Sequence, residues 1–240
     1  MLDKGVERRG PPKPAGAIAN ALTLILRLIL PVAALLAAFA MLWLLRAEVP
    51  QDLAFIEIID PALVFSGASV DPWLNWSMVL LPVVFFIINL ISRRYGPSAA
   101  MLGVVVSWLV LGGVIQWALS QGHIEDFESG IAPVPHAIAF AAALFGGQVL
   151  CVYFFEWLRG IPWWEAPLVA ALVGGICFTF LHHVLLFWLT HDTMEGLWSG
   201  PVLPRLIALS VLQLIWSVGQ LLPTAILRGI IRPLPGLGGA

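Results

Sequence analysis

The chain has 240 residues, of which 60% are hydrophobic and only 11% charged, with a formal net charge of −2. A soluble domain carries about 45–50% apolar and 25% charged residues, so this composition excludes a soluble globular fold, which would lack the polar shell to cover its apolar interior. No basic, aromatic-interleaved patch accompanies the near-neutral charge, which argues against a nucleic-acid partner.

In chain order, residues 1–16 form a basic leader rich in proline (Gly10-Pro11-Pro12-Lys13-Pro14) that is predicted to be disordered. It is followed by an apolar run too long for a signal-peptide core, with no small-residue cleavage site. Ala17–Arg27 reads as a short interfacial helix leading into the first span. Six stretches of roughly 17–25 mostly apolar residues then follow, each long enough to cross a hydrocarbon core of about 30 Å as a helix. They lie near Leu28–Leu45, Asn75–Ile91, Ala99–Leu119, Pro135–Leu158, Leu168–Thr190 and Leu203–Leu227. Barrel strands would appear as shorter, alternating segments, whereas these are apolar all round. The expected fold is therefore an all-α polytopic membrane protein with six transmembrane helices in one domain, residues 17–231. An acidic outer loop at 46–74 carries short interfacial segments, 126–135 is a turn-rich outer loop, and 232–240 is a flexible tail.

The connections alternate in charge. The leader, Arg27, Arg93, Arg94, Arg159, Arg228 and Arg232 lie on one side. Glu48, Asp52, Glu57, Asp60, Asp71, Glu125, Asp126, Glu128, Asp192 and Glu195 lie on the other. The excess of arginine and lysine puts the first side, and both termini, in the cytoplasm. Of eleven tryptophans, Trp43, Trp73, Trp76, Trp117, Trp157, Trp163, Trp164 and Trp198 fall near span ends, where indoles anchor at the interface. Short turns at 92–98 and 159–167 make spans two and three, and spans four and five, antiparallel neighbours. Glu156 and Arg159 are spaced to pair. Cys151 and Cys177 fall inside spans as packing residues, without disulfide or metal spacing. No nucleophile–base pair and no nucleotide-binding or zinc-hydrolase motif is present, so no enzyme and no cofactor is expected.

Polar side chains within lipid must find a partner, water or a ligand. In span six, Ser210, Gln213, Ser217 and Gln220 recur at steps of three, four and three and share one helix face. Pro223 is placed to open the backbone below them. Span two ends with Asn89, span three holds Ser107 and Gln116, and span four holds Gln148. Two readings stand: amides that glue helices together, or a polar cavity that reads the edge of an uncharged, planar solute. No Asp, Glu or Lys lies deep in a span, which speaks against ion-coupled pumping. His182 and His183 diverge by about 100° on their helix. They read as packing or proton-sensing residues rather than tetrapyrrole or metal ligands, since no partner histidine lies at matching depth.

Two segments resemble the VUT family of six-helix membrane proteins, which includes the bacterial queuosine-precursor transporters. One runs from Leu81-Pro82 through Asn89-Leu90-Ile91-Ser92-Arg93-Arg94-Tyr95-Gly96. The other is Gly147-Gln148-Val149-Leu150-Cys151, continued by Phe155 to Arg159, Trp163-Trp164 and Ala166-Pro167. Leu222-Pro223 matches the last helix, and the resemblance extends over about 75–228. Gln148 keeps the family's residue. Asn89, Cys151, Gly175 and Phe178 stand where the family carries acidic or amide side chains, and Gln213 where it carries a basic one. The resemblance implies a multi-pass transporter of the bacterial inner membrane, binding a small heterocyclic solute through Gln148, Gln213 and Gln220, with Asn89 and Ser217 in support. The missing charges imply a neutral solute without proton coupling, or else an accessory subunit of a larger energy-transducing or photosynthetic membrane assembly. The expected partners are the lipid bilayer, that solute, and a second copy or a host complex.

Overall fold

In lipid, every backbone N–H and C=O must be satisfied within the chain, and apolar runs of this length meet that demand as helices. The computed structural model describes residues 17–45, 76–123, 133–160, 162–191, 197–198 and 202–233. They form eight helices with no strand among them: α1 (Ala17–Leu44), α2 (Trp76–Leu80), α3 (Pro82–Tyr95), α4 (Pro97–Ser120), α5 (Val134–Trp157), α6 (Glu165–Thr190), α7 (Val202–Gly219) and α8 (Leu221–Leu227). These supply six spans long and apolar enough to cross a membrane, so the protein is an all-α, multi-pass membrane protein. The expected leader at 1–16, the acidic loop at 46–74 and most of the outer loop at 126–135 and of the tail lie outside the described residues.

Two spans each lose a backbone hydrogen bond at a proline, while Leu81 and Gln220 at the junctions keep right-handed helical dihedrals. Pro82 has no N–H to donate to the carbonyl of Met78, and Pro223 none for that of Gly219. Accordingly α2 gives way to α3 at Leu81, and α7 to α8 at Gln220. In contrast, α1 runs without interruption through Pro31, and the segment expected to lie at the interface is continuous with the first span. At the short turns, Gly96 (φ 82°) and Gly160 (φ 93°) take left-handed conformations that side chains resist.

α3 is the centre of the bundle and packs against α1, α4, α5, α6 and α7. Its Val84, Phe85 and Ile88 are fully buried, with Leu35 of α1, Val104 of α4, Leu144 of α5 and Ala170 of α6 around them. α5 and α6 are the most intimately packed pair, as the short turn between them predicts. They meet backbone to backbone: a Cβ on Gly147 would lie 2.6 Å from the Gly174 carbonyl oxygen. Close approach of this kind is how membrane helices gain van der Waals contact. The opposite faces are apolar and exposed, including Leu109 and Trp117 on α4 and Ile207, Ile215 and Leu222 on α7 and α8, as lipid contact requires. Arg93, Arg159 and Arg228 gather at one end, where Arg159 pairs with Glu156 (2.6 Å) and donates to the Ser92 carbonyl (2.8 Å).

Candidate polar site within the bundle

Several intramembrane hydroxyls are satisfied by their own helix. Ser107 donates to the Val104 carbonyl, Thr179 to Gly175, Ser210 to Leu206 and Thr224 to Gln220, at 2.7–3.0 Å. Such back-bonding spends the hydroxyl locally. The Ser92 hydroxyl, buried without a partner near the end of α3, and the amides remain.

All five expected site residues are buried: Asn89, Gln148, Gln213, Ser217 and Gln220 are each at most 5% exposed. They fall into two groups. Gln148 follows Gly147 on α5 and is turned toward α4, where the Trp108 indole N–H donates to its Oε1 at 2.7 Å. An indole N–H can only donate, so it fixes the amide with oxygen toward Trp108. Gln148 Nε2 is left buried and unpartnered. Phe39 of α1 packs on the Trp108 ring, with centroids 5.0 Å apart.

The second group lies between α3, α6 and the α7–α8 joint. Asn89 Nδ2 and Gln220 Nε2 both donate to the Pro167 carbonyl, each at 3.0 Å. A carbonyl only accepts, so both amides are again fixed in orientation. Asn89 Oδ1 then receives the Cys151 thiol (Sγ to Oδ1 3.4 Å), while Gln220 Oε1 has no partner. Two turns along the same face, about 10 Å away by helix rise, the Gln213 side chain presses on Gly175 of α6. Its Oε1 is also buried without a partner. Ser217 lies between the two glutamines.

Among the described residues no hydrogen bond joins Gln148 to Gln213, Ser217 or Gln220. The link between the groups runs through Cys151, one turn beyond Gln148 and bonded to Asn89. Among the described residues the interior thus holds an unpartnered amide nitrogen on Gln148, unpartnered amide oxygens on Gln213 and Gln220, and the unpartnered Ser92 hydroxyl. Unmade hydrogen bonds of this kind cost about 1–3 kcal/mol each when buried. The set is neutral, and no Asp, Glu or Lys is buried among the described residues. An open groove of about 640 Å³ between α4 and α5 is apolar apart from Ser98, Tyr153 and Glu156 and is lined by none of these amides.

His182 and His183 point apart. His182 stacks on Phe178 (centroids 5.5 Å, planes 6° apart), whereas His183 Nε2 lies 3.2 Å from the Leu197 carbonyl. Among the described residues no cluster of three or more His, Cys, Asp or Glu could hold a metal.

Sequence reasoning missed two partners. Trp108 stands mid-span, where an indole N–H has no water and must find an acceptor, and that was the available signal. The Pro167 carbonyl is a backbone atom without any sequence signature. No protein-family model, no curated protein and no solved structure matches this chain.

Proposed function

We propose that this protein carries a small, neutral, hydrogen-bonding heterocycle across the bacterial inner membrane, as a transporter of the VUT type that its sequence resembles, with both termini cytoplasmic. The observation that carries the reading is the unspent donor of Gln148 together with the unspent acceptors of Gln213 and Gln220 inside an otherwise apolar bundle. Buried polar atoms are normally paired, and a planar solute with a donor or acceptor edge would pair with those of one group, at Gln148 or along the Gln213–Gln220 edge. The absence of buried acids among the described residues supports an uncharged solute moved without proton coupling.

The moving part in this reading is the joint at Gln220, where Pro223 removes one hydrogen bond from the span. A helix weakened at a proline has a point of flexure. Release of Gln220 from the Pro167 carbonyl would free an amide for the solute and let α8 swing without disturbing α6.

The test is uptake of queuosine-precursor bases and related neutral heterocycles into proteoliposomes. Gln148→Leu is expected to lower uptake at least tenfold, the scale of one lost buried hydrogen bond, with membrane insertion intact. Undiminished uptake by Gln148→Leu overturns the proposal.

A second reading, an accessory subunit of a larger membrane assembly, is favoured by a different observation. Asn89 and Gln220 are spent on one carbonyl, and Trp108 closes on Gln148, so these amides act as staples between helices. Purification at native expression separates the two. Co-migration with a large complex supports the subunit, and a lone monomer or dimer supports the transporter.

A further inference from the structure

At the end of the bundle where α3, α5 and α8 terminate, five arginines (Arg93, Arg94, Arg159, Arg228 and Arg232) stand near two carboxylates, Glu156 and Glu165. Glu156 is taken by Arg159. Glu165 sits in the first turn of α6, where the helix dipole favours an acid, and pairs with no arginine among the described residues. The arginines are not dispersed: the half-buried Arg93 lies within electrostatic reach of both Arg228 and Arg159.

Capping of helix ends explains part of this. Arg159 donates to the Ser92 carbonyl at the end of α3, and Arg93 Nε reaches the Ile231 carbonyl at 3.4 Å, a long contact. It does not explain the rest. A guanidinium has five N–H donors, and among the described residues Arg93 spends one and pairs with no carboxylate. Arg228 lies over the Trp163 ring, 4.9 Å from its centroid, likewise with no carboxylate partner. Arg93 is half-buried and Arg228 exposed, so two like charges stand together with donors open to an anion. Trp163 and Trp164 are both partly exposed beside them, at the depth where indoles meet headgroups. Guanidinium matches phosphate with paired N–H bonds.

We propose that Arg93 and Arg228, flanked by Trp163, bind the phosphate of an anionic glycerophospholipid at this end of the bundle. The site is independent of whether the protein moves a solute. By the positive-inside rule this end faces the cytoplasmic leaflet, whose anionic lipids attract such residues.

The experiment reconstitutes the full chain in nanodiscs of phosphatidylcholine and phosphatidylglycerol in equal parts. It then extracts the protein in mild detergent and quantifies the retained lipids by mass spectrometry. Phosphatidylglycerol is expected to be enriched over phosphatidylcholine. Arg93→Gln and Arg228→Gln are each expected to lower that enrichment about fivefold, whereas Arg94→Gln, which removes the same charge from the next position, leaves it unchanged. Arg93→Lys is expected to fall between, since it keeps charge and loses the paired bonds. Unchanged enrichment in the glutamine variants overturns the proposal. So does an equal loss in Arg94→Gln, which marks general surface charge, or displacement of the lipid by inorganic phosphate, which marks a site for the free ion. If the glutamine variants fail to insert, the wild-type chain still decides, because no preference for phosphatidylglycerol overturns the site by itself.

Discussion

The Trp108–Gln148 bond joins two side chains that are each awkward in lipid on their own. Paired, they leave the Gln148 Nε2 amino group, with both its N–H donors, as the unresolved group. Trp108→Phe keeps the aromatic packing on Phe39 but strips Gln148 of its remaining partner. It is expected to destabilise the protein by about 1–3 kcal/mol, read from reversible unfolding in mixed detergent. Adding Gln148→Leu should restore part of the loss, because no polar atom is then stranded. If the double variant is less stable than the sum of the singles, the bond does not have the role assigned to it. Gln148 itself was legible from its mid-span position. Trp108 also stood mid-span, but its position alone does not say which neighbouring helix supplies the acceptor for its indole N–H.

The pairing of α5 with α6 rests on glycine at the point of contact. Gly147→Ala would set a Cβ against the Gly174 carbonyl and against Phe85, and backbone cannot step aside. Forced overpacking of this kind costs about 1–3 kcal/mol, so a lowered unfolding midpoint is expected. Gly112→Ala on α4 has nothing within 4 Å of the added carbon and is expected to be neutral or slightly stabilising through helix propensity. Equal behaviour of the two variants would refute this picture of the contact. Composition and length made every span legible, whereas the backbone that Pro223 was expected to open stays helical through Gln220. What the chain alone did not reveal is which faces meet. Helices apolar all round carry no stripe to orient them, so the separation of Gln148 from Gln213 and Gln220 emerged only with the packing.

Across the whole molecule, the arginines at the α3–α4 turn, the α5–α6 turn and the end of α8 share one end, as the alternating charge of the connections anticipated. The proposed orientation is tested with a membrane-impermeant maleimide on intact cells, in a background with Cys151 and Cys177 replaced by alanine. Gly122→Cys, beyond the end of α4, is expected to label from outside. Gly160→Cys, in the α5–α6 turn, is expected to label only after the membrane is permeabilised. The reverse pattern would invert the topology. Both positions have nothing within 4 Å of an added Cβ, although each has positive φ, so the turn tolerates a thiol with modest strain.

The Pro167 carbonyl, shared by Asn89 and Gln220, has a genetic consequence. An acceptor that belongs to the main chain survives any exchange of side chain at its own position. A saturation scan would therefore find this latch silent at position 167, apart from effects of the ring, and audible at 89 and 220. Selection can retune the grip on the start of α6 only from those two amides, one at a time, with the other still holding.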